Sequence, residues 1–286
     1  MTDRTGAAMT SPTNTPTTAG LDPVAATARL TAALRARESA RPDRLFDDPL
    51  AARLAGDPGR ALLDRIGEVP TIPVRTRFYD DAITRLTADD GIRQIVLVAA
   101  GMDTRAHRLH LPADSTLFEL DRPELLRLKG TLLAEAAPPR CSRRPVGVDL
   151  AADWTSALRT AGFRANQPTC WLAEGLTPYL EAADVHRLLD RITELSAPGS
   201  HLLADFVGRS LLDNPSVRPM LALLADWGAA WRYGIEEPET LLTERHWRPE
   251  VTRIGEAGHA LGRWPFPDAP RGTPGVPQGY LVHGRR

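Results

Sequence analysis

Apolar positions along the chain fall into two kinds of run. Short continuous runs rich in branched and aromatic residues occupy 94–98, 116–120, 145–148, 169–173 and 201–207, each bounded by Gly, Pro or polar turn residues. That pattern predicts strands buried on both faces. Between them apolar residues recur at helical spacing over 123–136, 154–161 and 182–195, and a further helix is predicted over 74–86, after Pro73. Strand and helix alternating at this interval predict an α/β domain with a parallel sheet covered on both faces. Ahead of it, residues 21–66 carry Ala25, Leu30, Ala33, Leu34, Leu50, Leu54, Leu62, Leu63 and Ile66 at helical spacing. Turns at Arg41-Pro42-Asp43 and Gly56-Asp57-Pro58-Gly59 divide this helical preface. Residues 211–231 read as helical despite Pro215 and Pro219, and weak strands lie near 251–254 and 279–283. The five prolines of 265–278 mark a surface connection, and no internal repeat is present. Residues 1–20 are rich in Thr, with Pro, Ser and Gly, and lack the apolar stretch of a signal peptide, so they read as a mobile tail outside the domain.

Composition narrows the function. A length of 286 residues supports a large core, and 42% hydrophobic with 25% charged residues is ordinary for a globular chain. With 35 basic and 36 acidic residues the net charge is −1, which disfavours a nucleic-acid binder that works by displacing counterions. Lys129 is the only lysine; every other basic residue is arginine. Two cysteines, Cys141 and Cys170, cannot build a disulfide framework, which fits a reduced, cytoplasmic setting. No apolar run approaches the roughly 20 residues of a membrane span.

Candidate chemistry collects where predicted strands end. The first strand runs into Ala99-Ala100-Gly101-Met102-Asp103-Thr104-Arg105, small residues that let backbone amides approach a ligand at the carboxyl edge of an open sheet. A dinucleotide fingerprint needs Gly-x-Gly-x-x-Gly, and only Gly101 is present. Glu119 and Asp121 close the next strand, and Asp121 lies at the offset that lets a carboxylate accept from the ribose hydroxyls of an adenosine, a fragment shared by NAD and S-adenosylmethionine. Asp121 could equally cap the helix entered at Arg122-Pro123. Asp149 and Glu174 stand at two further strand ends, and four such termini in series argue for a ligand edge. Arg75 and Arg77 supply cations for a ligand carboxylate or a solvated helix face.

Five segments together carry a resemblance: ArgThrArgPheTyrAspAsp at 75–81, the stretch 94–109, PheGluLeuAspArgPro at 118–123, ValAspLeu at 148–150 and AlaGluGlyLeuThrProTyrLeu at 173–180. They resemble the leucine carboxyl methyltransferase family, in its bacterial branch of S-adenosylmethionine-dependent O-methyltransferases. The likeness reaches upstream to 35–39 and 45–51 and covers about residues 25–285. The resemblance implies a Rossmann-like class I methyltransferase fold: a seven-stranded, mostly parallel sheet whose last strand enters antiparallel, with a helical cap over 21–66. It implies S-adenosyl-L-methionine as cofactor. Arg75 would pair with the methionine carboxylate, the backbone of Ala99 and Gly101 would wall the methionine and ribose, and Asp121 would bind the ribose. Asp149 and Leu150 would hold the adenine, Glu174 would face the amino group, and Arg35 or Arg37 would close over the cofactor. Eukaryotic members have glycine where Ala99 stands.

The implied acceptor is a small molecule, with a carboxylate favoured because it is already ionised at neutral pH and needs no general base. A phenol, which would need one, is the alternative, as is a protein that binds the cofactor without catalysis. No histidine stands out as a base; His107 reads as structural, and no metal-ligand spacing occurs. Tyr179 is a candidate for the acceptor pocket, or simply a core aromatic. The 208–247 segment, with Trp227, Trp231 and Tyr233, reads as a lid.

Overall fold

A computed structural model describes residues 23–286, so the expected tail over 1–20 lies outside the described residues. Seven strands form one sheet: β1 (Gln94–Val98), β2 (Thr116–Asp121), β3 (Ser142–Gly147), β4 (Thr169–Ala173), β5 (His201–Val207), β6 (Arg248–Arg253) and β7 (Gly279–Arg285). Their order is β3-β2-β1-β4-β5-β7-β6; β1 to β5 pair in parallel, and β7 pairs antiparallel with both β5 and β6. The expected mostly parallel, seven-stranded sheet is therefore present. The strand order reverses between β1 and β4, the switch point at whose carboxyl ends open α/β sheets bind ligands.

Helices follow most strands: α1 (Pro23–Ser39), α2 (Ala51–Ile66), α3 (Thr71–Ala88), α4 (Arg105–Arg108), α5 (Pro123–Leu132), α6 (Thr155–Thr160), α7 (Ala182–Glu194), α8 (Arg209–Leu212), α9 (Arg218–Asp226), α10 (Pro238–Thr243) and α11 (Ile254–Ala260). β1, β4 and β5 are buried along their whole length. Because side chains alternate across a strand, each must be apolar on both faces. Val96, Val98, Phe118 and Trp171 pack with Trp154, Val185, Leu189 and Ile192 on one face. Ile95, Leu97, Leu117, Cys170 and Leu203 pack with Val74, Tyr79, Ile83 and Leu86 on the other. Each such buried aliphatic side chain stabilises the fold by about 1.5–3 kcal/mol. A third cluster joins α1 and α2 to Met102 and Leu125.

Several elements differ from the sequence expectation. β3 begins at Ser142 rather than 145, because it is an edge strand whose arginines are held by side chains of β2. The expected turn at 56–59 is only a kink at Gly56 inside α2. There α2 crosses α1 so closely that a Cβ on Gly59 would come within 2.5 Å of the Arg29 carbonyl oxygen. The predicted 211–231 helix is broken into α8, a 3-10 turn at Pro215–Val217 and α9, with each proline at the start of its element, where a missing N–H costs nothing.

Candidate functional site

The site is built on the carboxyl ends of β1, β2, β4 and β5. As β1 ends, the chain turns through two left-handed residues, Ala99 at φ 60° and Gly101 at φ 48°. The Gly101 N–H donates to Asp121 Oδ2 at 2.7 Å and the Arg122 N–H to Asp121 Oδ1 at 2.8 Å. One carboxylate thus ties the end of β2 to the turn after β1. Burial raises the Asp121 carboxyl above the usual range, against the pull of those two amides. A Cβ on Gly101 would meet Ala28 of α1 at 3.4 Å, so the first helix lies over this turn.

Beside it, three guanidiniums and four carboxylates form one connected cluster. Arg75, from α3, donates through Nε to Glu174 at 3.0 Å and through Nη1 to Asp205 at 2.7 Å. The other Glu174 oxygen lies 2.8 Å from Arg105 Nη1. Arg105 also reaches Asp80 at 2.7 Å and Asp103, and Arg108 brackets Asp80. Burial opposes the ionised acids, but Arg105 and its neighbours outweigh it, lowering Glu174 and holding Asp103 at about 2. Arg75 and Arg105 are raised, since their acid partners outweigh desolvation. Asp205 stays above the usual range because burial outweighs Arg75 and the Gly175 amide. Arg105 Nη2 is buried without a hydrogen-bond partner among the described residues.

The helical preface is pinned to this edge. Arg35 Nε donates to the buried Asp48 at 2.9 Å, Thr104 Oγ1 donates to the same carboxylate at 2.7 Å, and Arg35 Nη2 reaches the Met102 carbonyl. Arg37 instead donates to the Gly67 carbonyl at 2.9 Å. Of the two upstream arginines, Arg35 is the one at the β1 turn.

The leucine carboxyl methyltransferase model matches residues 28–193, more than half of the chain. The chain belongs to this family. Two relatives, each named as a candidate S-adenosyl-L-methionine-dependent methyltransferase, extend the similarity beyond that match. One from Parafrankia sp. is 44% identical over 74% of this chain and 73% of its own length. One from Frankia alni is 42% identical over 88% and 91%. Two crystal structures share the fold: a candidate methyltransferase from Thermobifida fusca (TM-score 0.61, 20% identity, 91% of this chain and 94% of that one) and a DUF574 family protein from Streptomyces avermitilis (TM-score 0.61, 17% identity, 91% and 97%). The class I methyltransferase architecture expected of the family is the one observed.

Of the residues singled out in the sequence, Gly101 meets Asp121, and Arg75 meets Glu174. Asp149 is exposed and accepts the Ala151 N–H at 2.9 Å within its own loop, without contact to the charged cluster. Leu150 is half-buried and lines a cleft of about 50 Å³ with Leu176, Leu180 and Leu188. Tyr179 stands edge-on to Trp231, with ring centroids 6.3 Å apart, and burial raises its hydroxyl pKa. The Pro178 carbonyl accepts from the Arg232 N–H at 2.6 Å and the Tyr233 N–H at 3.2 Å, tying the 208–247 segment to this turn. The aromatic residues of that segment then part company. Trp227 packs against the α1–α2 cluster and Tyr233 joins the main core. Glu119 points away from the cluster, fully buried between Lys129 at 2.9 Å and Arg143 at 2.6 Å. His107 Nδ1 lies 3.1 Å from the Ala137 carbonyl oxygen. Sequence reasoning gave no individual role to Asp205, Arg105, Asp103, Asp80 or Asp48. For Asp205 a signal was available, since it is the only carboxylate in β5 and interrupts the apolar run that follows His201.

Proposed function

We propose that the chain transfers the methyl group of S-adenosylmethionine to a carboxylate oxygen of a small molecule, giving a methyl ester. That it is an S-adenosylmethionine-dependent methyltransferase follows from its family; the acceptor class is our reading. The residues present fit the cofactor. The cluster around Arg75 holds four carboxylates against three guanidiniums, and its excess negative charge complements the net positive charge of a sulfonium amino acid. The turn at Gly175 lets that guanidinium sit close to the chain: a Cβ there would come within 2.9 Å of Arg75 Nη2, so the bare glycine is what admits Arg75 to this place. In this reading Arg75 binds the methionine carboxylate, Glu174 accepts from the amino group, Asp121 accepts from the ribose hydroxyls, and Leu150 packs on the adenine with Asp149 beside it. Arg35 closes the cap, and Tyr179 with Trp231 borders the acceptor.

The bound cofactor supplies an electrophilic methyl on a positively charged sulfur. The chain then has to align an acceptor oxygen with the carbon–sulfur bond and keep water out. A carboxylate oxygen forms the new bond to the methyl carbon as the carbon–sulfur pair returns to sulfur, and no proton moves. One observation carries the choice of a carboxylate: the titratable side chains of the charged cluster and of the Tyr179 turn offer no free base. The acids of the cluster are committed to arginines, the phenols of Tyr79 and Tyr179 are raised above their usual range, and the His201–His283 pair sits at the opposite, amino end of β5. The test is incubation with methyl-labelled cofactor and a panel of carboxylic acids, phenols and peptide C-termini. Base-labile label on a carboxylic acid is the expected outcome. Base-stable label on a phenol would replace the acceptor class, and binding without transfer to anything in a host extract would replace the enzyme reading.

A further inference from the structure

A charged side chain inside a strand buried on both faces is costly unless every lone pair it presents is engaged. Asp205 is such a residue, 7% exposed in a strand whose seven positions are all buried. Its two oxygens are divided between two elements: Oδ1 accepts the Gly175 N–H at 2.6 Å, and Oδ2 accepts Arg75 Nη1 at 2.7 Å. Its backbone carbonyl accepts Thr177 Oγ1 at 2.8 Å, so the turn after β4 is fastened to β5 at two points. Gly175 has φ 66°, and the Arg75 guanidinium lies against the face where a Cβ would project. Glu174, on the other side of Arg75, is shared with Arg105 and cannot by itself fix the guanidinium.

We propose that Asp205 is a positioning residue for the cofactor, holding the Arg75 guanidinium and the Gly175 turn so that the site recognises the amino-acid end of S-adenosylmethionine. The inference rests on the reading above that Arg75 meets the methionine carboxylate. Asn at this position can accept from only one of the two donors and turns its own amide N–H toward the other. With the Gly175 N–H satisfied, Arg75 Nη1 faces a donor, loses its anchor and moves toward Glu174. The nucleoside end, bound around Asp121 and Leu150, does not depend on this contact.

Calorimetry on the purified full chain separates the two ends, with S-adenosylhomocysteine carrying the amino-acid moiety and 5′-methylthioadenosine lacking it. Asp205→Asn should weaken S-adenosylhomocysteine by about 10- to 100-fold, the range for a charge-assisted hydrogen bond, and leave methylthioadenosine within about threefold. In an Arg75→Met background the same substitution should add little, because both changes remove one interaction. Gly175→Ala pushes on the same guanidinium without removing a charge, and keeps the idea falsifiable if Asp205→Asn does not fold; it should show the same selective loss. Equal weakening of both ligands, or full additivity with Arg75→Met, would overturn the inference and leave the cofactor reading standing. A wild-type protein that binds neither ligand would overturn both.

Discussion

At the amino end of β5, His201 Nδ1 lies 2.9 Å from His283 Nε2 on β7. One ring must donate an N–H and the other offer a lone pair, so the contact is broken if both rings are protonated. The groups facing the pair are Asp90, with a carboxylate oxygen 3.9 Å from His201, and the cations Arg85 and Arg285. Burial, followed for His201 by its histidine neighbour and for His283 by Arg85, pushes both rings down to about 4. An unfolded histidine titrates near 6.5. Between pH 6.5 and 4 the unfolded chain therefore binds protons that the folded chain refuses, and stability falls as pH falls through this window. From pH 7 to pH 5 one such histidine loses about 2 kcal/mol, and two independent ones would lose about 4. Because His283 is one of the groups that lower His201, the two losses are not independent, and the pair should fall between these values. Urea unfolding at pH 7 and pH 5, for wild type and for His201→Gln/His283→Gln, isolates the effect, since His107, also lowered by burial, is common to both. The double variant should lose about 2–4 kcal/mol less on acidification. An equal pH dependence in both proteins would refute the reasoning.

Other expectations follow from single residues. Asp121→Ala removes the acceptor of two backbone amides at the β1 turn, so it should lower unfolding stability as well as weaken S-adenosylhomocysteine by about 1–3 kcal/mol in calorimetry; unchanged stability would show that the turn holds without it. Ala99 has left-handed backbone at φ 60°, which costs about 1–2 kcal/mol. Glycine relieves that cost but makes the unfolded chain looser by about 0.4–1 kcal/mol. Ala99→Gly should therefore raise the urea midpoint slightly, and a clear fall would contradict the strain assignment. Lys129 is the only lysine and is fully buried, so an amine-acylating reagent should modify no lysine of the native protein and should modify Lys129 once urea unfolds it, as mass spectrometry would show.

The sequence by itself determined the alternation of β1 to β5 with their helices, because burial on both faces of a parallel strand demands an unbroken apolar run, and that run is a local property. It also placed Gly101, Asp121 and Glu174 at strand ends, since a chain that leaves a buried strand changes composition at once. Weakly patterned elements were less legible. The start of β3 was hidden because Arg143 and Arg144 are tolerated on an edge strand only through partners on β2, at Glu119 and Phe118. Tertiary structure alone put Arg35 at the β1 turn and Arg37 against Gly67, by turning one side of α1 toward Met102 and Asp48. It also joined Arg75 to the charged cluster, through acids 99 and 130 positions away in the chain. Periodicity reports which side of an element is buried, whereas an ion pair depends on which elements the sheet order makes neighbours. Asp205 could be seen as an oddity in an apolar strand, but its partners existed only once β4, β5 and α3 had been brought together.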